Sequence, residues 1–262
     1  MDDEDLIITT DQLPADPMAM PPPYWRGGGA IFYVMDSVAE LVSLLQQLRS
    51  ALDTTHKRLK EFEEASGGNE VKDDDFVTAC GDLWGLEYSI RHHAHLAIFM
   101  SAIQAEDDIN RFCVFNLPKH VVESIEKLAP PDKLVVAAAG VQVTEVKTTA
   151  VFEKIKRLTA WRNAFAHGHC VDRPTTSLRH NHLISPPNYP NVPDVIPEAI
   201  RMLSSYVDVS DYLQKISINP YTKGVSEDVM EIRGYLLDLS RFRFELCNPP
   251  RNEWYSIIEY SE

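Results

Sequence analysis

Cysteine is scarce in this chain, and the four present stand far apart. Cys80, Cys113, Cys170 and Cys247 show neither the pairing of a disulfide framework nor the spacing of a closed zinc site. Long apolar runs are missing as well: the longest, Leu134 to Val141, falls far short of a bilayer span. The first twenty residues hold six acids and no Lys or Arg. An opening of Met1-Asp2-Asp3-Glu4-Asp5 lacks the cationic start of a secretory or mitochondrial leader. Together these absences lead to the expectation of a cytoplasmic protein with free thiols, no cofactor and no membrane contact.

What is present is acid in excess, giving a formal net charge of −14. Such a balance argues against a general nucleic-acid binder, because phosphate neutralisation dominates that affinity. The charge is uneven, however. Between Glu153 and His182 the cations Lys154, Lys156, Arg157, Arg162, Arg173 and Arg179 face only Glu153 and Asp172. The island suits a phosphate-bearing partner, and it equally suits a solvated helix face.

Periodicity divides the chain. Residues 1–29 read as an arm, acidic first, then Pro21-Pro22-Pro23 and Gly27-Gly28-Gly29, with too little apolar surface to fold alone. Residues 30–217 read as one helical domain, and 218–262 as a C-terminal helix and tail packed on it. A first helix spans Ile31 to about Ala65, where Val34, Val38, Leu41, Leu45, Leu48 and Leu52 recur at helical spacing. A second runs from about Asp75 past Met100 to about Gln104, and a third from after Pro118 to near Pro130-Pro131. Lys133 to Ala139 is either a helical turn or a buried extended piece. A fourth helix spans about Thr148 to His167, and six prolines between residues 170 and 197 mark an irregular excursion after it. Helices over about 197–216 and 226–244 close an all-α bundle of five to six helices.

Two charges break apolar stripes. Arg162 interrupts Val151, Ile155, Leu158 and Phe165, while Glu87 interrupts Cys80, Leu83, Ile90, Ala94 and Ala97. An inward charge costs several kcal/mol unless paired, so each is the expected partner of the other. Arg91, four residues from Glu87, is the alternative. His167 closes the fourth helix before Gly168, a residue suited to the left-handed cap. An arginine fork for a phosphate and a histidine for a proton, at one helix end, suit phosphodiester chemistry. Five positions turn a helical side chain by about 140°, so the two converge only with distortion or with a second subunit. A metal centre from His167, His169, Cys170, His180 and His182 matches no closed pattern.

The run Arg162-Asn163-Ala164-Phe165-Ala166-His167 resembles the signature of the HEPN superfamily (higher eukaryote and prokaryote nucleotide-binding domains). That signature is an arginine, four to six residues and a histidine, usually with asparagine after the arginine. The text from Ile125 to Leu134 is similar to the connection such domains place before the motif helix, and the resemblance covers about Ile31 to Ile216. It implies a helical bundle that dimerises through its motif helices into a metal-independent endoribonuclease. Arg162 would bind the scissile phosphate, His167 would act as acid or base, and Asn163 would orient its neighbours. Glu87 and His169 would support them, and Lys154, Arg157, Arg173 and Arg179 would contact RNA. A toxin or anti-phage role with an antitoxin or defence partner is the corresponding expectation. A tyrosine that some toxins carry two residues after the histidine is replaced here by His169. A non-catalytic dimerisation or ligand-sensing module is the other reading, in keeping with the net charge. The acidic arm is open to a role as a nucleic-acid mimic over the basic island.

Overall fold

The computed structural model describes residues 29–67, 73–167, 192–219, 226–246 and 255–259. The acidic arm to residue 28, the excursion over 168–191, His169, Arg173 and Arg179 lie outside them. Among the described residues the chain folds into seven α-helices and one two-stranded sheet, a helical bundle as the 3.6-residue periodicity predicts.

Helix α1 (Ala30–Ala65) is about 54 Å long at 1.5 Å per residue. Its stripe of Val34, Val38, Leu41, Leu45 and Leu48 is fully buried, chiefly against α2 (Asp73–Asn116). By length and composition α1 is the one helix among the described residues that would reach across a membrane. The contiguous-run argument missed this, because an amphipathic helix accumulates hydropathy without an unbroken apolar run. Here that hydropathy is spent on the seam with α2.

Helix α2 continues about three turns beyond its expected end. Ala102, Ala105, Ile109, Phe112 and Cys113 keep the buried three-four spacing to the terminus. Pro118, with no N–H to donate, then stops it. The side-chain carbonyl oxygen of Asn116 accepts from Ser217 Oγ at 2.9 Å and from the backbone N–H groups of Ile218 (3.0 Å) and Asn219 (3.1 Å).

The segment after Pro118 is two helices, α3 (Lys119–Ile125) and α4 (Pro130–Gly140). Pro130 opens α4 where its missing N–H costs nothing, so the apolar piece over 133–139 is helical. After a 3₁₀ turn at Val146–Thr148 comes α5 (Ala150–His167), which carries the motif. Helix α6 (Val192–Ile216) starts five residues before the expected Pro197, which is inside it and removes only one early hydrogen bond. Asp194 supplies the first-turn acid there.

The C-terminal region departs most from the reading. Helix α7 (Glu227–Ser240) stops short of Phe244, and β1 (Phe242–Leu246) pairs antiparallel with β2 (Tyr255–Glu259). The register sets Phe242 opposite Glu259 and Leu246 opposite Tyr255. Phe-Arg-Phe-Glu-Leu alternates with period two, burying Phe242 while exposing Arg243 and Glu245, which is strand patterning. The hairpin packs on the same bundle as the helical domain. Arg49 Nη1 on α1 donates to Glu259 Oε2 at 2.8 Å, and Tyr255 reaches α2.

Candidate functional site at the end of the motif helix

Helix α5 lies antiparallel along α2, and its largest fully buried side chain is Trp161, one residue before the motif arginine. Burying its ring requires a partner for the indole N–H. Nε1 donates to Glu198 Oε1 on α6 at 3.0 Å, and Glu198 also takes Arg201 Nη1 at 2.6 Å. Phe165 stacks on Trp161 with centroids 5.5 Å apart, and it meets Phe99 at 5.4 Å and the edge of His95 at 5.8 Å. These rings fix the rotation of α5 about its own axis.

That rotation places Arg162 at the edge of the seam, with its side chain 25% exposed. Nη1 donates to Glu106 Oε2 on α2. Nε and Nη2 both donate to Asn163 Oδ1, at 3.2 and 3.0 Å. The fork is therefore held on two sides, by a carboxylate from the neighbouring helix and by the amide that follows it in sequence. Burial pulls the guanidinium below its ordinary value, and it stays a cation at neutral pH.

Glu106, then, is the acid that meets Arg162, and the expected Glu87–Arg162 pair is not formed. Glu87 lies about five turns nearer the start of α2. There it accepts from the Tyr255 hydroxyl of β2 at 2.8 Å, while Arg91 Nε reaches the Glu87 main-chain carbonyl at 3.4 Å. Burial and the Glu87 carboxylate push the Tyr255 hydroxyl well above the usual tyrosine range. Glu87 thus secures the C-terminal hairpin. Glu106 escaped the sequence reading because the helix was ended before it; one more turn of periodicity would have put it beside the Ala102, Ala105 and Ile109 stripe.

Of the remaining expected residues, His167 is the last residue of α5 and its side chain is outside what the structure describes. Asn163 is exposed. Lys154 is paired with Asp208 on α6, and Lys156 with Glu153 at 3.0 Å, so part of the basic island is neutralised within the fold. Arg157 is half-buried on α5. The zinc grouping of His167, His169, Cys170, His180 and His182 lies outside the described side chains. Among the described residues no three His, Cys, Asp or Glu side chains gather as metal ligands.

His95 joins the site through Phe165. Burial lowers its pKa first, and the Arg91 cation lowers it further, so the imidazole is neutral at pH 7. On the other flank of Glu106, a small cleft is lined by Asn110, Cys113, Glu123, Glu126 and Lys133. Buried Lys133 donates from Nζ to Asn110 Oδ1 at 2.7 Å, and burial pushes the Cys113 thiol up to about 12, which removes it as a nucleophile.

Against known proteins, the chain matches no family, no curated protein and no solved structure. The arrangement of its own residues therefore carries the functional argument.

Proposed function

We propose that this chain is a cytoplasmic, metal-independent endoribonuclease of the HEPN type that works as a homodimer. One observation carries the reading. Arg162 is oriented by Glu106 and Asn163 while a quarter of its side chain stays exposed, five residues before α5 ends at His167. A rigid, partly open guanidinium is what binding a phosphate requires, because little orientation entropy is then lost on binding. In the reaction the RNA 2′-hydroxyl attacks the adjacent phosphorus and the 5′-oxygen leaves. The products are a 2′,3′-cyclic phosphate and a 5′-hydroxyl. His167 takes the proton from the attacking hydroxyl or returns one to the leaving oxygen, and Arg162 neutralises the phosphoryl oxygens.

Five helical positions separate the two side chains by about 140°, so each arginine works beside the histidine of a second copy. Arg157, with Arg173 and Arg179 beyond the described residues, would contact the RNA backbone; Lys154 is already spent on Asp208. A toxin or anti-phage role, held in check by an antitoxin or defence partner, fits a ribonuclease of this kind. The test is incubation of total RNA and of tRNA with wild type, Arg162→Ala and His167→Ala, with and without chelator. Chelator-resistant cleavage is expected from wild type alone, at least a hundredfold above either variant, in line with general acid-base catalysis being worth about 10²–10⁴. Cleavage that survives both substitutions overturns the reading.

A second reading draws on a different observation. Three cations of α5, Lys154, Lys156 and Arg162, are already paired with carboxylates. A non-catalytic dimerisation module would use them in this way, as internal ties. Loss of the dimer in Arg162→Ala, with no cleavage by wild type at any salt, would favour it.

A further inference from the structure

The cleft on the far side of Glu106 from Arg162 is a second cavity-forming feature of the motif region. It encloses about 160 Å³ between α2, α3 and α4. Pockets that hold a whole drug-sized ligand run to about 300–1,000 Å³, so this one takes a single ring system. Its walls are the buried side chains of Cys113, Val114, Val122 and Ile125, an apolar slot for a flat ring. Its polar groups are Glu106, Asn110, Glu123, Glu126 and Lys133.

Charge narrows the occupant. Glu106 meets Arg162, and Glu123 meets Lys119 at 3.7 Å. With buried Lys133 in the lining, three carboxylates stand against three cations. The surroundings therefore carry no net charge and select neither an ammonium or guanidinium nor a free anion. A neutral ring with a polar edge is what fits.

Hydrogen-bonding capacity narrows it further. Carboxylates only accept. Arg162 engages Oε2 of Glu106, leaving Oε1 as that group's acceptor for a ligand, and Glu126 adds two more oxygens. On the donor side, Lys133 Nζ donates to Asn110 Oδ1 at 2.7 Å. That bond fixes the flip of the amide and makes Nδ2 of Asn110 the group that donates to an occupant. An acceptor-rich lining with an amide donor suits a ring that offers several N–H groups beside one carbonyl. Among the nucleobases guanine offers three N–H groups on its N1/N2 edge with O6 next to them. Adenine and cytosine offer two, and uracil one.

The position agrees with this choice. Asn110 lies one turn, about 6 Å, beyond Glu106 along α2, and Glu106 holds Arg162. A base in the cleft thus has its own 3′-phosphate within reach of the guanidinium.

We propose that the cleft between Glu106, Asn110 and Glu126 is a guanine subsite, holding the base whose 3′-phosphate Arg162 binds. This rests on the ribonuclease reading and names the place of the cut, on the 3′ side of guanosine. Glu106 serves both halves, with one oxygen for Arg162 and the other for the N–H edge of the base.

The experiment uses the full chain and the dinucleotides GpU, ApU, CpU and UpU, methylated at the 2′-hydroxyl so that they bind without being cut. A fifth dinucleotide carries inosine, which lacks the N2 amine. Affinity is read by calorimetric titration for wild type, Asn110→Asp, Glu126→Gln and Arg162→Ala. Wild type is expected to prefer GpU by about fivefold to a hundredfold, the usual worth of a well-made base contact. Inosine should forfeit most of that preference, and this comparison needs no variant. Asn110→Asp keeps an oxygen for Lys133 while removing the amide donor, so it should fold and lose the preference, as should Glu126→Gln. Arg162→Ala should weaken all five alike and leave the preference in place. Guanosine 3′-monophosphate should bind more tightly than the 5′-monophosphate, because only the 3′-phosphate reaches Arg162.

Chelator-resistant cleavage by a wild type that binds all four bases equally sinks the subsite and leaves the ribonuclease reading standing. Guanine-selective binding without cleavage of any RNA keeps the cleft and sinks the ribonuclease reading. Three other results also overturn the subsite: no binding of any dinucleotide, inosine bound as tightly as guanosine, or a preference that survives both Asn110→Asp and Glu126→Gln. So does tighter binding of the 5′-monophosphate, since the cleft would then take a free nucleotide rather than the base at the cut.

Discussion

The carboxylate of Glu106 on α2 accepts a hydrogen bond from Nη1 of Arg162 on α5, and both side chains are about a quarter exposed. Asn163 takes the other edge of the same guanidinium. A half-shielded pair of this kind gains from its neighbours yet stays partly screened, so its coupling should be about 0.5–1 kcal/mol. A double-mutant cycle of Glu106→Ala and Arg162→Ala, followed by urea unfolding, measures it. Simple additivity would mean that the two side chains do not interact in solution.

Trp161 should matter more to stability than the arginine beside it. Trp161→Phe keeps an aromatic ring against Phe165 but leaves Glu198 without its indole donor, and it opens a small void. The combined loss is expected at about 1–3 kcal/mol, or roughly 2–12 °C in melting temperature for a chain of this size. Thermal melting of the variant beside wild type decides it, and an unchanged midpoint counts against the buried hydrogen bond.

Asp108 provides the pH dependence. It accepts from Gln104 Nε2 at 2.8 Å and from the Tyr206 hydroxyl on α6, and burial pushes its carboxyl from 3.8 up to about 6. A folded pKa above the unfolded one means that the native state binds this proton more tightly. Asp108 therefore lowers stability as pH rises from about 4 to about 6, by about 3 kcal/mol at most, with no further change above. Asp108→Asn is expected to melt above wild type at neutral pH, with the gap closing as pH falls toward 4. A gap independent of pH over that range would show that Asp108 does not titrate there.

The C-terminal hairpin should loosen by itself when Tyr255 loses its hydroxyl. Tyr255→Phe deprives Glu87 of a donor at 2.8 Å, with the Arg49–Glu259 ion pair still tying β2 to α1. The cost is about 1 kcal/mol. Amide exchange is expected to speed up in residues 242–246 and 255–259, with α2 unchanged, because local opening draws on local contacts. Equal acceleration in α2 would show instead that the hairpin and the bundle open as one unit.

How far the sequence reaches is clearest on α2 and α5. The stripe of Cys80, Leu83, Ile90, Ala94 and Ala97 is buried as its spacing predicts, and α5 is helical through the motif as expected. Arg162 was expected to face inward, yet Trp161 takes that place. Heptad counting allots inward positions to within one residue, and the larger apolar ring wins the deeper site. The hairpin was missed because five residues of period two follow a helix without a break, and a helical window averages over them.

Most of the helices, and the Arg162–His167 motif with its amide neighbour, were set by the sequence alone, because each depends on residues a few positions apart. Which acid meets Arg162 and where Glu87 goes instead were decided only by tertiary structure. Those relationships depend on how far one helix slides along another and how each is rotated. That choice is made by the summed packing of Trp161, Phe165, Phe99 and the α1–α2 seam, and no local spacing encodes it.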